Sequence, residues 1–141
     1  MASDQKFRLL NRAHGVLVRL TGGRLGWRAA GMPVLEVITT GRRSGRPHAL
    51  RLTSPVRQGS TIVLVASRGG EDRDPDWFLN MCAHPQVQVR ARGEQWRSML
   101  ARPATPQERG QLWPLVVRNR WYRGYEAKTE RVIPLVLLEP V

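Results

Sequence analysis

The sequence predicts a small antiparallel β-barrel of about six strands with peripheral helices, mainly β and α+β in class. Segments rich in β-branched residues cluster in the middle of the chain and do not alternate regularly with helical ones, as a parallel doubly wound sheet would require. Short turn-forming stretches join neighbouring segments, which favours antiparallel pairing. At 141 residues with no internal repeat, the chain is most simply one domain, 1–141, with an N-terminal helix and loop over 1–31 and the barrel core over 32–141. A chain of this size buries about two-thirds of its unfolded surface, enough for a core without staples.

Taken in order, residues 4–20 place Phe7, Leu10, Leu17 and Leu20 near helical spacing, with Lys6, Arg8, Arg12 and Arg19 mostly elsewhere. This reads as a basic amphipathic helix, with His14 in a structural role, ending before Gly22-Gly23. "MPVLEVITT" (32–40) reads as a strand, and "HALRLTSPV" (48–56) as its partner across an arginine-rich turn. "TIVLVAS" (61–67) reads as a buried strand returning beside them in a meander. After Gly69-Gly70, Asp74 is placed to cap and Pro75 to open a short helix that Pro85 stops. Residues 86–92 and 95–102 alternate around Gly93-Glu94 as a hairpin. Thr105, Pro106 and Glu108 form a capping box for a helix to residue 119, complicated by Pro114. "RVIPLVLLEP" (131–140) closes the barrel as an apolar strand, with Pro134 hinting at an edge or a bulge.

Composition narrows the chemistry. The single cysteine, Cys82, excludes an intramolecular disulfide framework, and neither CxxC nor HExxH occurs, so no metal site is expected. No secretory h-region or membrane-length apolar run is present, which makes a cytoplasmic setting the expectation. The formal net charge is +12, and its basic residues are arginines apart from Lys6 and Lys128. Such a surface steers anions toward any concave site, without choosing among nucleic acid, lipid and small molecules.

The stretch "TTGRRSGRP" (39–47) concentrates that charge. It lacks the GxxxxGK[ST] of a P-loop, and Ser44 lies in no GxSxG elbow. Gly41 and Gly45 let backbone N–H groups turn inward, Thr40 and Ser44 add hydroxyls, and Arg42, Arg43 and Arg46 add forked charge. An anion site and a solvated turn both fit these residues. The carboxylates of "EDRDPD" suit a helix start better than a metal. Trp77, Phe78, Trp121, Tyr122 and Tyr125 add planar rings suited to a flat ligand, whereas Trp96 and Trp113 read as packing residues.

The ordered set "TTGRRSGRP", "VLVASRGG", "DPDWFLNMCAHP", "VQVRARG", "ATPQERGQLWP" and "RVIPLVLLEP" resembles the deazaflavin (coenzyme F420)-dependent nitroreductase and quinone reductase family. That family belongs to the FMN-binding split β-barrel superfamily, and the resemblance runs from about Val34 to Pro140. It implies F420 as cofactor, a deazaflavin with a phosphate and an oligoglutamate tail. By the same resemblance Arg42, Arg43, Ser44, Arg46 and His48 hold the phosphate, His48 standing where the family often has arginine or lysine. Ala66, Ser67 and Arg68 lie along the ring, Trp77 and Asn80 add contacts, and Tyr122 or Tyr125 forms the substrate wall or donates a proton.

The activity so implied is hydride transfer from reduced F420 to an electron-poor acceptor such as a quinone, nitroaromatic or activated enone or lactone. The alternatives are an FMN-binding split-barrel reductase and a non-enzymatic basic nucleic-acid-binding barrel. The expected partner is a small-molecule acceptor, with no nucleic acid. The oligomeric state is left open, as is peripheral membrane contact through the N-terminal helix.

Overall fold

The computed structural model describes Arg28, Ala29 and residues 31–141, so the expected helix over 4–20 lies outside the described residues. The strands are β1 (Arg28–Ala29), β2 (Met32–Thr40), β3 (Pro47–Thr53), β4 (Val56–Gln58), β5 (Thr61–Val65), β6 (Gln86–Arg90), β7 (Arg97–Pro103) and β8 (Leu135–Pro140). The helices are α1 (Asp76–Ala83), α2 (Pro106–Val116) and α3 (Arg120–Glu126). All pairings are antiparallel, in the order β1-β2-β6-β7-β8-β5-β4, and β3 pairs with β2 on the edge opposite β6. Among the described residues β3 pairs with β2 alone and β4 with β5 alone. The β4–β5 register stops at Val56↔Val63. The curled sheet is therefore a split barrel, left open between β3 and the C-terminal half of β5.

Two apolar clusters hold it. Inside the barrel Leu35, Val37, Ile62, Leu64, Val89 and Met99 pack under Phe78 and Met81 of α1. On the other face of β5 and β8, Val63, Val65, Leu135 and Leu137 pack against Leu112 and Val116 of α2 and Tyr122 of α3. Both faces of β5 and β8 are thus covered, which is why these segments read as unbroken apolar runs.

Several sequence expectations need correction. The second strand splits into β3 and β4 at Ser54-Pro55, where Pro55 has no N–H for a ladder and the Ser54 hydroxyl donates to the Val56 and Val63 carbonyls (both 3.1 Å). The third strand meets only the β4 end of the second and pairs with neither β2 nor β3 among the described residues. It pairs with β4 and β8, where its two apolar faces are both buried. Nor is the closing strand an edge: β8 sits between β5 and β7, and Pro134 precedes it, its carbonyl accepting from the Ala66 N–H at 2.9 Å.

Pro75 is the N-cap of α1 rather than its first helical residue, and Asp74 pairs with Arg131 at 3.0 Å instead of capping. The hairpin turn spans residues 91–96, longer than Gly93-Glu94. The capping box forms as expected: Thr105 Oγ1 accepts from the Glu108 N–H (3.1 Å) and Glu108 Oε1 from the Thr105 N–H (2.9 Å). Arg102 forks onto the same Glu108 at 2.7 and 2.8 Å, and with the Thr105 N–H holds its carboxyl down to about 2. The expected helix to residue 119 ends at Val116, and a separate helix, α3, begins with Asn119 as its cap.

Candidate functional site

The arginine turn closes on itself. The Gly41 N–H donates to the Arg46 carbonyl (2.8 Å), the Gly45 N–H to the Gly41 carbonyl (2.9 Å), and the Arg46 N–H to Ser44 Oγ (3.1 Å). Gly41 is the tight point: a Cβ there would lie 2.6 Å from Ser44 Oγ and 2.7 Å from His48 Nε2. The hydroxyl and the imidazole therefore converge over a bare backbone.

The turn divides its charge. Arg42 points to α1, where its backbone N–H and Nη1 both donate to Asn80 Oδ1 (3.1 and 2.9 Å) and Nη2 to Asp76 Oδ1 (3.3 Å). Asn80 is buried, so the pair works as a latch between turn and helix. Arg43, Ser44, Arg46 and His48 are exposed, and among the described residues neither Arg43 nor Arg46 meets a carboxylate. Two forked cations and a hydroxyl on the turn, with an imidazole at the start of β3, are groups of the kind that suit an anion.

Across the split, Ala66, Ser67 and Arg68 are all buried. Ser67 is right-handed helical (φ −78°, ψ −31°) and Arg68 left-handed (φ +47°), followed by Gly69 (φ +64°) and Gly70 (φ +83°). The Arg68 guanidinium pairs with Glu71 at 3.0 Å. Trp77, Leu50, Leu52 and Leu79 are partly buried against the barrel core, giving an apolar surface beside the latch.

Tyr122 and Tyr125 are brought together, ring centroids 5.9 Å apart and edge to face, but they differ in access. Tyr122 is 4% exposed, its hydroxyl is 2.7 Å from Thr53 Oγ1, and burial pushes its pKa up to about 12. That placement argues against Tyr122 as proton donor. Tyr125 is half-buried, with its hydroxyl raised by burial and the Lys128 ammonium 5.8 Å from its ring.

Two features escaped the sequence. Asp76 read only as a helix-start carboxylate, because its partner Arg42 is 34 residues away. Arg131 opens the closing-strand segment with no role of its own assigned, yet its guanidinium donates to the carbonyls of Ala66 (3.1 Å), Ser67 (2.9 Å) and Glu71 (2.8 Å) and to Asp74 (3.0 Å). Arg51 of β3 stands opposite Glu36, which also takes Arg90 from β6 at 3.1 Å. Among the described residues no group of three or more histidine, cysteine, aspartate or glutamate side chains could hold a metal, and no helix is long and apolar enough to cross a membrane.

Comparison with known proteins places the chain among relatives of one family. A sequence model of the F420H(2)-dependent quinone reductases matches residues 10–140. The F420H(2)-dependent quinone reductase Rv1261c of Mycobacterium tuberculosis is 36% identical over 134 residues, covering 92% of this chain and 89% of its own. Among solved structures, an F420-H2 dependent reductase, FDR-A, superposes with a TM-score of 0.66 at 33% identity, covering 76% of this chain and 94% of its own. A pyridoxamine 5'-phosphate oxidase-like protein of Listeria innocua, 13% identical with a TM-score of 0.54 over 76% of this chain and 82% of its own, shares the fold alone.

Proposed function

The chain belongs to the F420H(2)-dependent quinone reductase family, and from that premise we propose that the arginine turn and the facing 66–70 segment hold F420 for reduction of a quinone. Reduced F420 supplies a hydride from C5 of its deazaflavin ring, and the quinone takes one proton as well to become the hydroquinone.

The residues present fit that group. Arg43 and Arg46 supply forked charge for its phosphate, Ser44 and His48 add hydrogen-bonding groups, and Arg42 keeps the turn in place through Asn80. The basic surface of the chain, +12 overall, suits an oligoglutamate tail. Trp77, Leu50 and Leu52 offer the planar ring an apolar bed that excludes water. The observation carrying this reading is the division of labour in the turn: one arginine spent on the scaffold, two left facing solvent. Nitroaromatics and activated enones or lactones are further acceptors open to the same electron-poor chemistry. FMN offers a phosphate and a flat ring but no oligoglutamate, and neither it nor a nucleic-acid role is favoured by the family.

The test is a titration of the protein with oxidised F420, and with FMN in parallel, following cofactor fluorescence at low and high salt. F420 is expected to bind preferentially and more weakly in salt. Arg43→Ala and Arg46→Ala should each lose about tenfold in affinity, as fits one exposed charged hydrogen bond. Equal binding of FMN, or no effect of either substitution, would overturn the reading.

We assign the proton-donor or acceptor-facing role to Tyr125. Tyr125→Phe is expected to lower kcat with F420 affinity nearly unchanged. Tyr122→Phe should leave kcat alone and lower stability by about 1 kcal/mol, the usual worth of a buried hydrogen bond. Turnover and thermal melts of the two variants separate these roles, and a slow Tyr122→Phe with a normal Tyr125→Phe would reverse the assignment.

A further inference from the structure

A stretch of backbone with unusual geometry faces the split, and one side chain from far along the chain grips it. The right-handed Ser67 followed by the left-handed Arg68 is the arrangement that converges successive backbone N–H groups into an anion-binding concavity. Left-handed geometry at Arg68 is unfavourable for a non-glycine residue, so something must hold it. The turn's own bonds, from the Gly70 N–H to the Ser67 carbonyl (2.9 Å) and from the Glu71 N–H to the Arg68 carbonyl (3.2 Å), do part of this, and Arg131 adds to them, donating Nη2 to both the Ala66 and Ser67 carbonyls and Nε to the Glu71 carbonyl. In a trans peptide the C=O and N–H point opposite ways, and the described chain has no cis bond. Holding the carbonyls of Ala66 and Ser67 on the Arg131 side therefore directs the N–H groups of Ser67 and Arg68 to the other.

We propose that Arg131 is a positioning residue for hydride transfer: by gripping these carbonyls it presets the backbone N–H groups of Ser67 and Arg68 toward the split, where the deazaflavin ring would lie. The inference rests on the F420 reading above. Asp74 neutralises the guanidinium from its far side and is not part of the grip on the carbonyls. The fork is what the geometry needs. A lysine keeps the charge but is a point donor, unable to span three carbonyls.

Arg131→Lys, Arg131→Ala and Asp74→Asn separate this from a plain ion pair. Arg131→Lys is expected to speed amide exchange at Ser67 and Arg68 in the cofactor-free protein. It should weaken oxidised F420 by about tenfold and lower kcat, with KM for a water-soluble quinone unchanged. Asp74→Asn should stay within about threefold of the parent on every measure, since the carbonyl bonds survive. If Arg131→Ala folds, millimolar guanidinium should restore part of its F420 binding; if it does not, the lysine variant decides. Parental exchange and affinity in Arg131→Lys would overturn the proposal, as would damage by Asp74→Asn equal to that by Arg131→Lys. Because exchange is read without cofactor, failure of the wild type to bind F420 would sink the functional reading and leave the grip separately tested.

Discussion

Asn80→Ala is expected to unlatch the arginine turn, lowering stability by about 2 kcal/mol and weakening F420 by more than the loss of any single exposed arginine. Asn80 Oδ1 accepts from both the backbone N–H and the Nη1 of Arg42, so one atom orients a peptide and a guanidinium together. Hydrogen bonds to charged groups contribute roughly 1.5–3 kcal/mol and neutral ones about 1, and Arg42 keeps enough solvent contact to place the sum at the low end. Without the latch, Arg42 keeps only the longer contact to Asp76, a carboxylate with Arg73 also at 3.8 Å. The turn that carries Arg43 and Arg46 then pays the cost of ordering itself when an anion arrives.

A second substitution separates scaffold from charge. Asn80→Asp keeps an acceptor for Arg42 and should melt close to the parent, while its added negative charge beside the turn weakens an anionic ligand. Thermal melts and F420 titrations on both variants test this directly. An Asn80→Ala protein that melts and binds like the parent would mean that the turn holds its shape unaided.

How legible this site was in the sequence follows from the range of the interactions that build it. The capping box at Thr105 and Glu108, the strand over 32–40 and the arginine turn are made by residues within a few positions of one another, and their patterns are local. Fold class was legible for the same reason, since alternation and turn residues report on neighbours. What escaped depends on contacts across tens of residues. Nothing near Arg42 in the sequence shows that Asn80 and Asp76 also hold it. The position of β5 next to β8 instead of β3 is set by the need to bury two apolar faces, which a strand's own sequence signals without naming its partner. Helix α3 was missed because "NRWYRGYEAK" has a weak helical pattern and a glycine inside. Its stability comes from Tyr122 packed into the second cluster and the Asn119 cap. Arg131 was the least visible, a single basic residue whose four acceptors lie 57 to 65 positions earlier.

The same long-range packing makes Gly70 the substitution with the greatest expected cost to stability. Its φ of +83° lies where a side chain is strained, and a Cβ there would sit 2.8 Å from the Tyr125 carbonyl oxygen and 3.0 Å from Tyr125 Cα and Lys128 Cβ. Two of these three atoms are backbone, so relief requires α3 to move off the turn at residues 68–70. The conformation costs about 1–2 kcal/mol and the overpacking a further 1–3 kcal/mol, so Gly70→Ala should lose about 2–5 kcal/mol. Gly93→Ala is the control: its φ is +74°, but nothing lies within 4 Å of the added Cβ, so it carries the conformational cost alone. The difference between the two melts then measures the fit of α3 against the turn. That fit bears on catalysis, because α3 carries Tyr125 and the turn carries the backbone of residues 67–69. A destabilised Gly70→Ala protein, assayed below its melting temperature, should therefore also lose kcat, whereas Gly93→Ala keeps it. Equal melting of the two variants would show that α3 yields freely and that the turn is positioned without it.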